Sequence, residues 1–129
     1  MASPGAILIG FSKSGLGAIN IGCVMPYFFS HIIVFDAPLV RRQLPPWDTK
    51  GFYSSDAQWQ RDLPARKVAQ IAQCPWRLVL ISGEAFGDEM RDFSLLLNSC
   101  GYKHEFIASP KRKHSWNSGW IELGLKRAL

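Results

Sequence analysis

The chain has 129 residues, a formal net charge of +5, 47% hydrophobic residues and 19% charged residues. This composition is typical of one globular domain with a single core, and it excludes a disordered chain. No apolar run reaches the roughly 18–20 residues that cross a bilayer, and no aromatic or zinc-ligand pattern accompanies the basic residues, so we expect neither a membrane span nor a nucleic-acid partner.

The first half of the chain predicts two strands with a helix between them. Short apolar runs at Ala6–Phe11 and Ile32–Phe35 are typical of strands that are covered on both faces. Between these runs, Leu16–Tyr27 is predicted to form a helix. Residues 39–64 lack a clear period and predict an irregular excursion, with a short helix around Ser55–Asp62.

The second half continues the alternation of strands and helices. Strands are predicted at Arg77–Ser82 and His104–Ala108. Helices are predicted at Pro64–Ala72, at Asp88–Ser99 and from about Asn117 to the last residue. The sequence therefore predicts a three-layer α/β fold with a mainly parallel sheet of about four strands.

The cysteines, the first five residues and one basic run lead to further predictions. Cys23, Cys74 and Cys100 are widely spaced and form no C-x-x-C pair, so we expect buried free thiols in a reducing, cytoplasmic compartment. No metal site and no cofactor are expected. Residues 1–5 carry no basic region, so we expect no secretory signal. The basic run Lys111–Lys113 is expected to be solvent-exposed and not required for folding.

A turn of small residues follows the first predicted strand and carries the main functional signal. Ser12 stands at its apex, Gly10 and Ser14 flank it, and Gly15 and Gly17 follow. This layout is typical of a nucleophile elbow, a strained strand-to-helix turn that exposes a serine hydroxyl. The usual pattern has glycine at the position of Ser14. The turn predicts Ser12 as a nucleophile.

With this order of elements, the chain resembles the C-terminal half of an α/β-hydrolase, from the nucleophile elbow onward. "ILIGFSKSGLGA" resembles the turn after the fifth strand of that fold, and "IIVFDAP" and "RLVLISGE" resemble the next two strands. "YKHEFIASPKRKHSWNSGW" is similar to the last strand, the histidine loop and the closing helix. The resemblance implies one partial domain over residues 1–129 and a serine hydrolase, esterase-like or lipase-like, that acts on a small ester or related acyl compound.

The resemblance also implies a triad in the order serine, acid, histidine. His114 matches the histidine of the family, because it lies in the loop after the last strand. Asp36 is the favoured acid, since it ends the second strand in a turn similar to that of pancreatic-type lipases. Most relatives place the acid after the next strand, where Glu84 and Asp88 are the alternatives; Asp88 also fits a helix N-cap.

The oxyanion hole is expected to be incomplete. The backbone N–H of Lys13, the residue after the nucleophile, matches one donor of the family. The part of the fold that supplies the second donor and flanks the first strand has no counterpart in these residues. We therefore expect a weak or inactive hydrolase, with an unpaired strand edge that favours self-association or a covering partner. The alternative is a non-catalytic remnant that serves binding or assembly.

Overall fold

The computed structural model describes residues 5–40 and 56–129. The strands β1 (Ala6–Phe11), β2 (Phe29–Phe35), β3 (Arg77–Ser82) and β4 (Glu105–Ala108) form one sheet in the order β1-β2-β3-β4. All three pairings are parallel. The predicted α/β class and the parallel sheet are therefore confirmed. Most of the predicted excursion over 39–64 lies outside the described residues.

The described helices follow the predicted order with shifted boundaries. They are α1 (Lys13–Val24), α2 (Asp56–Asp62), α3 (Val68–Ile71), α4 (Gly87–Ser99) and α5 (Trp120–Ala128). The helix predicted over Pro64–Ala72 is instead a 3₁₀ turn at Pro64–Arg66 followed by α3, because Lys67 between them has a non-helical ψ of 16°. The last helix begins three residues later than predicted, after Gly119 at φ 79°.

The sheet lies between two layers of helices, and its strands alternate their side chains between them. Ile32 and Val34 point to one core with α1 and α4. Ile33 and Phe35 point to the other core, which contains Trp120 of α5. The three-layer architecture follows from this alternation, because each face of the parallel sheet is apolar and requires a covering layer.

The register of the sheet aligns the ends of the strands. Phe11 pairs with Phe35, Phe35 with Ile81, and Ile81 with Ile107. The residues that follow this row emerge at one edge of the sheet. This carboxyl edge is where function collects in parallel α/β sheets.

Within the described residues, β1 is an edge strand of the sheet, and several large apolar side chains are exposed. Within the described residues β1 pairs with β2 alone. Large apolar side chains at the end of α1 and in the turn after it are 46–84% exposed: Ile21, Val24, Met25, Tyr27 and Phe28. The N–H of Ala6 donates to the carbonyl of Phe28 at 3.2 Å, on the side of β1 that faces β2. We call the outer edge of β1 together with these five side chains the open edge.

The cysteines are free, and two of them are buried. Burial and, to a lesser extent, the neighbouring Cys74 raise the pKa of the Cys23 thiol to about 11. Cys100 is exposed, so the expectation of three buried thiols is wrong there; it caps the end of α4 at the surface. In the described part of the chain, no helix is long and apolar enough to pass through a bilayer.

Candidate active site

Ser12 occupies a strained turn between β1 and α1. Its backbone has φ 56° and ψ −125°, a combination that L residues adopt only when the surroundings hold it. The N–H of Ser12 donates to the carbonyl of Phe35 at 2.8 Å, and the hydroxyl does not cap α1. A Cβ on Gly10 would lie 2.8 Å from the Cα of Gly15, so this turn requires glycine. The hydroxyl is therefore available at the carboxyl edge.

Asp36 ends β2 and is completely buried, with φ 41°. Its carboxylate accepts three backbone N–H groups of the following loop: those of Gly83 at 2.8 Å and Phe86 at 2.9 Å on Oδ1, and that of Ala85 at 3.1 Å on Oδ2. A buried charge is tolerated only with such partners, and hydrogen bonds to an ionised group are the strong ones. The loop holds this carboxylate in one orientation.

His114 lies in the loop after β4, and its ring lies between Ser12 and Asp36. Its Nδ1 is 2.7 Å from Asp36 Oδ2, and its Nε2 is 3.0 Å from Ser12 Oγ. An ionised carboxylate only accepts, so Nδ1 carries the proton in the neutral ring and Nε2 accepts the serine hydroxyl. The ring packs between Phe11 and Phe86, at centroid distances of 4.6 and 5.5 Å. The structure thus brings Ser12, His114 and Asp36 into one hydrogen-bonded series.

The two alternative acids lie elsewhere. The side chain of Asp88 is 98% exposed and pairs with Arg91 at 3.5 Å. It lies in the first turn of α4, whose N-cap is Phe86, so the expected N-cap role is wrong. The carboxylate of Glu84 contacts the backbone N–H of His114 at 2.8 Å, while the ring faces Asp36.

One residue of the basic run forms hydrogen bonds within the loop that carries His114. Arg112, in the middle of the basic run, is half-buried. Its guanidinium donates to the carbonyl of Ser118 and to Ser109 Oγ and lies 5.4 Å from the Trp120 ring centroid. Lys111 and Lys113 are exposed as expected. The expectation of an exposed run is therefore wrong for Arg112, because its charge has partners within the loop; that the run is not required for folding stays a prediction.

Lys13 is the first residue of α1 and follows Ser12 directly. Its backbone N–H therefore lies at the positive end of the helix dipole, beside the serine. A cavity of about 460 Å³ opens at the same edge of the sheet, lined by residues 82–89, Arg91, Ala108 and Pro110. Among residues 5–40 and 56–129, His, Cys, Asp and Glu side chains form no group of three that would hold a metal ion.

A second cavity of about 510 Å³ lies at the opposite edge, where the strands begin. Arg77, Lys103 and Arg127 line it together with the ends of α3, α4 and α5. Cationic side chains are favourable beside helix C-termini, which carry a partial negative charge. Burial and the neighbouring Arg77 lower the pKa of His31 at this edge. This cavity is remote from Ser12.

Comparison with known proteins bears on the fold. No family model matches the chain, and no curated protein matches it in sequence. A solved structure of a ferulic acid esterase matches with a TM-score of 0.70 and 15% identity, over 93% of this chain and 48% of that one. FphF, a fluorophosphonate-binding serine hydrolase of Staphylococcus aureus solved with substrate bound, matches with a TM-score of 0.59 and 19% identity.

The FphF match covers 95% of this chain and 51% of that one. The chain thus spans about half the length of both structures. Identities this low carry information about the backbone and not about the reaction. The resemblance stated from the sequence is confirmed at that level: this chain has an esterase-like, serine-hydrolase-like α/β fold.

Proposed function

We propose that this chain carries the nucleophile, base and acid of a serine hydrolase that cleaves an ester or related acyl bond. Ser12 is the nucleophile, His114 the general base and Asp36 the orienting acid. One observation carries the proposal: Ser12 Oγ, both nitrogens of His114 and Asp36 Oδ2 form a continuous series with contacts of 3.0 and 2.7 Å. These distances are within hydrogen-bond reach, the first requirement for a base and its nucleophile.

The series supports a specific order of proton transfer. Ser12 Oγ attacks the acyl carbon while its proton moves to His114 Nε2. The imidazolium that forms is stabilised by the Asp36 carboxylate, which three backbone N–H groups hold in place. His114 then protonates the leaving alkoxide, and water activated by the same ring hydrolyses the acyl-enzyme.

The turn itself supports the nucleophile role. The positive φ of Ser12 and its place between β1 and α1 match the backbone of a nucleophile elbow. The N–H of Lys13, directly after Ser12, provides the first donor to the oxyanion that forms on the acyl oxygen. Removing one such donor costs on the order of 10²–10³ in rate, so a second donor decides how fast the enzyme is.

We further propose that additional hydrolase polypeptide covers the open edge, by adding a strand to β1 and an apolar helix face to α1. Three features support this occupant. Among residues 5–40 and 56–129, no strand pairs with the outer edge of β1; α1 has no charged residue after Lys13; and the matched esterase and FphF are about twice as long as this chain. The substrate class, a small ester, is inferred from the name of the ferulic acid esterase and from the chemistry of the site.

A fluorophosphonate probe tests the proposed reaction, because it phosphonylates only an activated serine. We expect the chain to be labelled at Ser12, Ser12→Ala to lose labelling, and the matched variant Ser14→Ala to keep it. Mass spectrometry of the labelled peptide identifies the residue. Absence of labelling in a sample that circular dichroism shows to be folded would overturn the proposal and favour a binding or assembly role.

A further inference from the structure

The loop between β3 and α4, residues 83–86, contacts both partners of the serine. Three of its four N–H groups bind the Asp36 carboxylate. The remaining residue, Glu84, turns toward the loop that carries His114. Gly83 allows this approach, because a Cβ there would lie 3.0 Å from the carbonyl oxygen of Arg112 and closer still to the Trp120 ring. The 83–86 loop is therefore the common support of acid and base.

Glu84 holds the main chain of the histidine loop at two points. Its N–H donates to the carbonyl of Arg112 at 3.0 Å. Its Oε2 accepts the N–H of His114 itself at 2.8 Å. The two bonds bracket residues 112–114, so the backbone at His114 is fixed relative to the loop that fixes Asp36.

The ion pair of Glu84 with Lys113 is the lesser contact. Glu84 Oε1 is 3.7 Å from Lys113 Nζ, and the lysine side chain is 77% exposed. An exposed pair of this kind contributes little, whereas a carboxylate that accepts a backbone N–H makes a charge-assisted bond. The hydrogen bond to the His114 backbone is therefore the stronger of the two side-chain contacts of Glu84.

We propose that Glu84 is a positioning residue for the reaction: it anchors the backbone of His114 so that Nε2 remains within reach of Ser12 Oγ. Glu84 does not contact the serine or the imidazole ring and acts through the main chain alone. The role in the reaction rests on the proposed function; the anchoring does not. A small displacement of the base is costly, since a misplacement of about 1 Å reduces rates by up to about 10²-fold.

Three substitutions separate acceptor, charge and reach. Glu84→Gln retains an oxygen that accepts the N–H and loses the charge. Glu84→Asp retains the charge and withdraws the carboxylate by one methylene. Glu84→Ala removes both. Asp88→Ala is the matched control, because it removes an exposed acid from the next turn of chain without contact to His114.

Two measurements are made on each variant: the rate of fluorophosphonate labelling and the hydrogen exchange of the His114 amide by NMR. We expect Glu84→Ala and Glu84→Asp to slow labelling about 10-fold and to speed amide exchange at least as much. Glu84→Gln and Asp88→Ala should stay within about threefold of the parent. The unfolding free energy, measured in urea, checks that the variants are folded; if Glu84→Ala is not, the Asp and Gln variants decide.

Two results would overturn the proposal. Glu84→Asp or Glu84→Ala at the parent labelling rate would show that the anchor does not position the base. Glu84→Gln as slow as Glu84→Ala would show that charge, and not the accepted N–H, matters. If the parent chain is not labelled at all, the proposed function fails instead, and the exchange rate of the His114 amide then tests the anchor alone.

Discussion

The carboxyl edge of the sheet and the open edge differ in how their polar groups are satisfied. At the carboxyl edge, the Asp36 carboxylate, the His114 ring and the Ser12 hydroxyl all have partners within the chain. At the open edge, β1 has no strand on its outer side within the described residues, and Val24 and Tyr27 are about four-fifths exposed. The first region is assembled from turns and loops that are far apart in the sequence, and the second leaves a strand edge and apolar side chains exposed within the described residues.

This contrast separates two requirements for activity. The arrangement of the proposed nucleophile, base and acid depends on strands β1 to β4 and the loops that follow them. The proposed reaction also needs a second oxyanion donor, and the proposed occupant of the open edge would cover β1. A chain can therefore hold an assembled triad and still be a slow enzyme.

The largest expected effect comes from Asp36→Asn at the carboxyl edge. The amide NH2 would replace one carboxylate oxygen; at the Oδ2 position it would face the N–H of Ala85 and would no longer accept the proton of His114 Nδ1. We expect labelling of Ser12 to slow by about 10³–10⁴ and the unfolding free energy to fall by about 2–4 kcal/mol. Labelling kinetics and urea unfolding measure the two effects.

Asp88→Asn is the control for that change, because its side chain is 98% exposed and its ion pair is with Arg91. It should leave both quantities at the parent values. A chain with Asp36→Asn that labels as fast as the parent would show that the acid is not needed, and the carboxyl edge would lose its catalytic interpretation.

A pair of glycine substitutions compares the two regions directly. A Cβ on Gly10 would meet the backbone of Ser14 and Gly15, whereas a Cβ on Gly17 would meet no atom within 4 Å. We expect Gly10→Ala to destabilise by about 2–4 kcal/mol and Gly17→Ala to stabilise by about 0.5–1 kcal/mol, since alanine favours the helix. Urea unfolding of both variants tests this; equal effects would contradict the contrast between a closed turn and an open helix face.

The smallest expected effect on stability is at the open edge. Replacing both Val24 and Tyr27 with lysine should change the unfolding free energy by less than about 0.5 kcal/mol, because these side chains bury little area within the chain. Sedimentation velocity should show less self-association than in the parent. Leu95→Lys, an equally apolar exposed position on α4, should leave association unchanged. A loss of more than about 2 kcal/mol in the double variant would show that the patch is part of the core.

The sequence predicts the sheet well where strands are continuously apolar. The strands Ala6–Phe11 and Arg77–Ser82 begin and end as predicted. β2 begins at Phe29, three residues before the prediction, because Ser30 and His31 interrupt the apolar run while pairing with β1 still extends the strand. Pairing of this kind depends on the neighbouring strand and is not visible in the local pattern.

In the candidate site, too, some residues are predicted from the sequence and others are not. The turn chemistry leads to Ser12, and the resemblance to α/β-hydrolases leads to Asp36 and His114; the structure brings these three together. The contacts of Glu84 and Arg112 arise where two loops meet in space, and a single sequence carries no signal for such a meeting. Charge alone misleads there, since Arg112 looks like its exposed neighbours and is held by Ser118 and Trp120.

The order of the strands has a consequence for the assembly of the chain. Each strand pairs with the one that precedes it in sequence, so the sheet can grow from one end as the polypeptide emerges from the ribosome. Ser12 and His114, in contrast, are 102 residues apart, and their contact closes the longest loop of the site. Loop closure of this length comes after local pairing. The proposed reactivity of Ser12 therefore requires the last loop to be in place, and we expect fluorophosphonate labelling to report the completion of folding.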